Sequence, residues 1–270
     1  MTTTLDEQIY ARKPLGFHGT IPLFSPGDDY TENYEKISGD HLQSLRETGR
    51  NPFIDENLWI ETEESTAALV RKYSRDGDRI LDVGVGLGRV LSEFPHLRRY
   101  GVDISLGYLA EAQAKGIETA YALVGDLPYA DATFDAVLCT DVLEHVFDLY
   151  GSCANILRVL KPGGVLIVRV PYREDLTEYL SSPYRFVHLH NFDEPSLRLL
   201  FGTIFEHEIL DVSKVGYVPS AKCRVRPIVP HFLVFKLLGL VYRLNRTLFR
   251  RLLRRWYRPV EINIVVRKRG

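Results

Sequence analysis

The glycines at 84, 86 and 88, set directly behind the apolar run Ile80–Leu81–Asp82–Val83, constrain this chain more than any other feature. A strand that ends in closely spaced glycines lets the backbone turn sharply into a helix and approach a ligand closely. The spacing also excludes two common binders. The dinucleotide fingerprint needs its third glycine three residues after the second, and Arg89 stands there instead. No Gly-Lys-Ser/Thr follows, so the phosphate-cradling P-loop is excluded as well. Asp82, just before the loop, would repel a pyrophosphate and suits a cationic ligand. Taken alone, such a loop is also compatible with a tight turn that binds nothing.

Two further acids give the loop company. Asp103 ends the run Gly101–Val102–Asp103, where a carboxylate can accept hydrogen bonds from both hydroxyls of a ribose; it or Ser105 could instead cap a helix. Asp126, in Gly125–Asp126–Leu127–Pro128, could accept from an adenine amino group while Leu127 packs on the ring, or serve as a turn residue. All three acids fall at the carboxyl ends of successive strand patterns, where open α/β sheets bind ligands.

Strand and helix patterns alternate from there on. Strands are expected at Arg79–Val83, Tyr100–Ile104, Glu118–Val124, Phe134–Thr140, Val165–Val170, His207–Val212 and Val260–Val266. Helices are expected over Asn57–Tyr73, from a Ser105 cap through Ala114, over Leu149–Leu160, and from Pro195 through Phe205. That alternation implies a doubly wound α/β domain with a mainly parallel sheet. Residues 1–56 carry turn signals at Pro14, Gly16, Gly19, Pro22 and Pro26–Gly27 and read as an irregular arm with one short helix near Tyr30–Arg46. Tyr30, Tyr34 and His41 give that arm the makings of a lid. Residues 57–270 make the α/β domain.

Charge divides the chain more sharply than its net −1 suggests. Val212–Val260 holds no acid and 12 basic residues, whereas residues 1–211 hold 34 acidic against 19 basic ones. Three scattered cysteines exclude a disulfide framework or a cysteine zinc site. Met1–Tyr10 has no apolar core of leader length, and the longest apolar run, Phe232–Val241, is broken by Lys236. A cytoplasmic protein is the expectation.

The stretch from about Asp78 to Tyr172 resembles the class I S-adenosylmethionine-dependent methyltransferase domain, in its small-molecule and lipid-modifying branch. The matching pieces, in order, are Leu81–Gly88, Gly101–Ser105, Gly125–Pro128, Phe134–Val137, Val142–Val146 and Leu160–Gly164. Val85 departs from the small or polar residue common there. The resemblance implies S-adenosylmethionine as cofactor, with the loop at Gly84, Gly86 and Gly88 around its methionine part, Asp103 on the ribose and Asp126 at the adenine. Asp82, Ile104, Leu127 and Thr140 complete the expected cofactor site. It also implies a Rossmann-like seven-stranded sheet whose last strand is antiparallel, here reached only after an insertion at about 224–258. A dehydrogenase is disfavoured by Arg89.

Histidines are the natural proton acceptors for a hydroxyl acceptor. His145, directly after the fourth strand, is the candidate base, or else it caps and packs its loop. His188 and His190 are expected to face the pocket; their i, i+2 spacing resembles a metal-binding pair, but no third ligand is visible, so no metal is expected. Along Val234–Trp256 a leucine-rich stripe opposes Arg243, Arg246, Arg250 and Arg254. This basic amphipathic pattern fits an anionic membrane surface through residues 230–258, a cover over a long anionic ligand, or a helix packed on the domain with its arginines in solvent. Nucleic acid is disfavoured by the acidic body. The expected reaction is O-methylation of a glycan, lipid-linked or isoprenoid-like acceptor, with peripheral attachment to the inner membrane face. The alternatives are C- or N-methylation of a soluble quinone precursor or secondary metabolite, and a cofactor-binding protein without catalysis.

Overall fold

A computed structural model describes residues 9–219 and 257–270, together with Leu240 and Leu244. The basic stretch at 230–258, and with it the amphipathic helix expected at Val234–Trp256, lies almost entirely outside the described residues.

In chain order the elements are β1 (Gly16–His18), β2 (Ile21–Leu23), α1 (Asp29–Thr48), α2 (Glu56–Tyr73), β3 (Arg79–Val83), α3 (Arg89–Ser92), β4 (Arg98–Asp103), α4 (Leu106–Ala114) and β5 (Glu118–Tyr121). They continue with β6 (Phe134–Thr140), α5 (Leu149–Val159), β7 (Leu160–Pro171), α6 (Glu194–Arg198), β8 (Glu208–Pro219) and β9 (Tyr257–Arg267). The sheet runs β1-β2-β5-β4-β3-β6-β7-β9-β8. β3, β4, β5, β6 and β7 are mutually parallel, and β9 enters antiparallel between β7 and β8. The seven expected strands are all present. The sheet has nine because the arm, expected to be irregular, adds the β1–β2 hairpin at one edge through Leu23 and Tyr121. Its strands are three residues long, too short to show alternation, and turn at Gly19 with a positive φ of 60°.

Successive residues of the central strand feed opposite faces. Leu81 joins Val137, Cys139, Val168 and Ile264 under α5, whereas Ile80 joins Leu138, Ile167, Val265 and the α2 residues Ala67 and Val70. The second of these layers turns polar toward the carboxyl ends of the strands. Asp82, Arg169, Asn263 and Glu261 there continue the rows that Ile80, Ile167 and Val265 begin. Arg169 is almost fully buried and held by Asp141, by the Thr62 carbonyl at 3.0 Å and by Thr66 Oγ1 at 2.8 Å. Polar groups gathered at one end of an apolar sheet are what positions the site.

The helix expected near Tyr30–Arg46 spans 20 residues, opened by an Asp28–Thr31 capping box and closed by Gly49. It leans on α4 through a buried Ser38–Ser105 hydrogen bond of 2.6 Å and a His41–Tyr108 contact of 2.6 Å. No helix among the described residues is long and apolar enough to cross a membrane.

Candidate active site

Where the parallel strands end, a cavity of about 1090 Å³ opens between the glycine loop, α1, α2 and the segment after β7. The glycine loop forms one wall. Gly84, Gly86 and Gly88 have φ of 75°, 50° and 66°, a region that favours glycine. At Gly84 a Cβ would lie 2.3 Å from Val142 Cγ2, so the close approach of the two loops also demands glycine. Gly88 does not line the cavity; its missing side chain makes room for Ile117 and Ala112. Gly101 plays the same part for Val85, whose three side-chain carbons would sit within 2.9 Å of any Cβ there. The departure at Val85 is thus a packing choice.

Asp103 is preorganised. Its Oδ2 accepts the Gly86 amide at 2.9 Å, and its Oδ1 accepts those of Ile104 and Ser105 at 2.8 and 3.0 Å. Burial still outweighs these donors and pushes its carboxyl up to about 6. Asp82 is more deeply enclosed, with one carboxyl oxygen unpartnered, and burial against the pull of Arg169 raises it to about 8. Ile104 and Thr140 line the cavity with them. These groups suit a ligand carrying ribose hydroxyls and a positive charge.

Asp126 and Leu127 do not line the cavity. The Arg12 guanidinium straddles the Asp126 carboxylate with two contacts of 2.6 Å, and Leu127 is buried in the core. An arm residue more than a hundred positions away claims the acid, and nothing local in the sequence announces it. Arg89 also gains a role: it stacks over the Trp59 ring at 3.7 Å and pairs with Glu63 at 2.9 Å, tying α2 to the glycine loop.

Another part of the cavity lining is built from distant pieces. Tyr30 and Tyr34 of α1 meet Phe147 and Phe186 in an aromatic wall, with ring centroids 4.9 to 5.9 Å from Tyr30. Burial raises the Tyr30 hydroxyl to about 12, so it stays protonated. α1 is latched to the loop after β7: Asn33 exchanges two hydrogen bonds with Arg185, Tyr34 donates to the Phe186 carbonyl at 2.8 Å, and Tyr184 donates to Asp40 at 2.9 Å.

Behind that wall lie two of the three expected histidines. His145 and His188 meet edge to face at 4.6 Å. Burial, then the neighbouring His188, drive His145 down to about 3, so it is a neutral imidazole with little appetite for a proton. His188 Nδ1 is bonded to Glu174, which also accepts the Tyr179 hydroxyl at 2.6 Å. Burial works against the Glu174 charge, but His188 and Tyr179 hold its carboxyl below the usual value. The bond to a carboxylate places the His188 proton on Nδ1 and leaves Nε2 as the acceptor.

His190 is not at the cavity. Its Nε2 bonds to the Val146 carbonyl at 2.7 Å, and its amide, with that of Leu189, bonds to the Glu144 carbonyl. The expected pairing of His188 with His190 fails because residues 182–191 form no strand, and the two rings take separate partners. The third donor comes from elsewhere. Glu144 is fully buried, neither carboxyl oxygen has a hydrogen-bond partner, and burial with Asp141 nearby keeps it well above the usual value. Leaving such groups unmet costs on the order of 1–3 kcal/mol each. Ligand atoms of Glu144, His145 and His188 lie within 4.8 Å of one another, so these three can hold a metal ion. An acid inside the apolar run Val142–Leu143–Val146 was the sequence signal for Glu144.

A family model described as "Methyltransferase domain" matches residues 81–168. The O-methyltransferase resE of Aspergillus sclerotiorum is 32% identical over 151 residues, covering 51% of this chain and 57% of that protein. A demethylmenaquinone methyltransferase of Renibacterium salmoninarum is 35% identical over 116 residues, covering 38% and 48%. The chain spans about half the length of these relatives. Among solved structures, a chain of the complex joining the Haloferax volcanii Trm112 methyltransferase activator to a methyltransferase superposes with a TM-score of 0.60 at 17% identity, over 91% of this chain and 100% of that one. The Haemonchus contortus phosphoethanolamine N-methyltransferase 2, solved with S-adenosylhomocysteine, gives 0.56 at 17% identity over 90% and 60%. At such identities the likeness is one of fold.

Proposed function

Residues 81–168 are a class I methyltransferase domain whose cofactor is S-adenosylmethionine, and from that premise we propose that the chain methylates a hydroxyl on an apolar, aromatic or isoprenoid-like acceptor. The observation that carries this reading is the junction of the His145–His188–Glu144 cluster with the aromatic wall of Tyr30, Tyr34, Phe147 and Phe186; the cluster and the first three rings line the same cavity as the glycine loop and Asp103. Transfer from a sulfonium is a direct displacement, so alignment of oxygen, methyl carbon and sulfur is the main task. The glycine loop and Asp103 fix the nucleoside and methionine parts, and the enclosed Asp82 favours the cofactor's positive charge. The aromatic wall stacks the acceptor, and the imidazoles face its hydroxyl. Similarity to proteins named O-methyltransferase supports the choice of oxygen.

A flat quinol ring fits the same wall, and the similarity to demethylmenaquinone methyltransferases supports methylation at carbon as a second reading. The two are separated by incubating the protein with S-adenosylmethionine and a panel of catechols, prenylated phenols and lipid-linked glycans. Mass spectrometry then finds the product and NMR locates the new methyl. A methyl on oxygen of a phenolic acceptor supports the proposal; a methyl on ring carbon, or product from the glycans alone, overturns it. For the basic segment at 230–258 the proposed partner is an anionic membrane surface, on the strength of its eight basic residues without an acid. Cosedimentation with phosphatidylserine vesicles at low salt should fall when Arg250, Arg251, Arg254 and Arg255 become Glu. A wild type that ignores the vesicles removes this partner.

A further inference from the structure

We propose that Glu144, His145 and His188 bind a divalent transition-metal or zinc ion at the acceptor end of the cavity. The three donors come from two segments that the fold brings together: the loop after β6 and the loop after β7. Their ligand atoms already lie within 4.8 Å of one another. Bonds of about 2.0–2.2 Å around one ion place donor atoms roughly 3–3.5 Å apart, so small side-chain rotations close the site.

Each donor shows a feature that the ion would explain. Glu144 is fully buried with both oxygens unpartnered. His145 Nε2 faces a Glu144 carboxyl oxygen across 3.8 Å, a gap that one ion could bridge. His188 gives its Nδ1 to Glu174, the arrangement in which a carboxylate orients a histidine so that its other nitrogen can ligate. A shared hydrogen-bond network among the three is the rival explanation, but it leaves both oxygens of Glu144 unmet. His145 and Glu144 stand no closer than an ion-pair contact of 3.8 Å.

Donor chemistry narrows the ion. Two imidazoles and one carboxylate suit zinc, cobalt, manganese or ferrous iron, whereas calcium takes oxygen ligands and magnesium keeps most of its water. Three protein ligands leave open positions, and all three residues line the cavity. The role assigned to the ion rests on the hydroxyl-methylating reading; the binding does not. In that role the acceptor oxygen would coordinate the ion, which would lower the pKa of the hydroxyl so that its proton leaves to solvent. The oxygen then bonds to the methyl carbon as the carbon–sulfur bond breaks, and the electron pair stays on sulfur as a neutral thioether.

The test is a titration of the full chain, freed of metal by chelation, with Co2+ as a visible-absorption probe and Zn2+ as competitor. One Co2+ per chain, with d–d bands that Zn2+ abolishes, is expected. Glu144→Gln and His188→Asn should each weaken Co2+ binding at least tenfold, and Glu174→Gln about 10- to 100-fold through His188. His96→Asn, at an exposed histidine near Asp76, should leave it unchanged. Circular dichroism checks each variant's fold; should Glu144→Gln not fold, His188→Asn decides. No cobalt spectrum, or one that these variants leave intact, overturns the proposal. Tight cobalt binding in a protein that methylates no hydroxyl keeps the site and overturns the O-methylation reading. Hydroxyl methylation by a chain that binds no cobalt does the reverse.

Discussion

At the cofactor end of the cavity, Asp82, Gly84, Gly86 and Asp103 come from one strand–loop–strand unit, and Asp103 is already engaged by three backbone amides. At the acceptor end, Tyr34, Glu144, Glu174 and His188 come from α1, the loop after β6 and the segment after β7, and Glu144 waits with no partner. One end is local and largely satisfied, and the other is assembled over long range with unmet polar groups. A motif of adjacent residues fixes backbone geometry for a ligand shared by many proteins. Long-range assembly from variable segments leaves room to change the acceptor without disturbing the cofactor.

Mutations should separate the two ends. The largest effect is expected for His145→Ala, which removes one of the three proposed ligands and should slow methyl transfer by about 10²–10⁴-fold, the several kcal/mol that a Lewis-acid ion supplies, while leaving S-adenosylmethionine affinity unchanged. Single-turnover kinetics beside calorimetric titration reads both quantities, and a parallel loss of affinity would merge the two ends into one. Next comes Gly84→Ala. A left-handed backbone costs a non-glycine residue about 1–2 kcal/mol and overpacking about 1–3 kcal/mol. With its Cβ 2.3 Å from Val142, this variant should lose roughly 2–4 kcal/mol in urea unfolding. A near-native midpoint would show that the two loops can part freely.

Asp103→Ala is expected to cost about 1–3 kcal/mol of cofactor affinity, the value of charge-assisted hydrogen bonds, with acceptor KM unmoved. Unchanged affinity would remove the ribose assignment. The smallest effect is that of pH. Burial places the Asp103 carboxyl at about 6 in the free protein, and on the ribose assignment the hydroxyls would bind its ionised form. Affinity should therefore be full above that value and fall as pH drops through it, by about tenfold between pH 7 and pH 5 from this group alone. Asp82, at about 8, would by the same sign add a further rise that is complete only above pH 8. Titrations at fixed ionic strength read this directly, and a flat profile would mean that neither acid meets the cofactor.

The same contrast explains what the sequence could tell. The seven strands of the α/β domain were legible as apolar runs, most plainly the buried parallel ones such as Phe134–Thr140, which are apolar along nearly their whole length. The β1–β2 hairpin was not, since three-residue strands carry no period. α1 was read shorter than it is: its buried residues are Thr31, Ser38 and His41, which leave no apolar stripe. The glycine loop was legible through steric demands written in adjacent residues. Neither the capture of Asp126 by Arg12 nor the meeting of Glu144 with His188 was legible, because both depend on which loops the finished sheet brings together.

The contact between Gly101 and Val85 reaches into the history of the chain. Any side chain at 101 collides with the valine at 85, so position 101 cannot change while that valine stays. A lineage in which 85 has shrunk to alanine or glycine is free to accept alanine at 101. One that keeps valine must purge every such change. Substitution at 101 is thus conditional on substitution at 85, and the smaller residue at 85 has to come first.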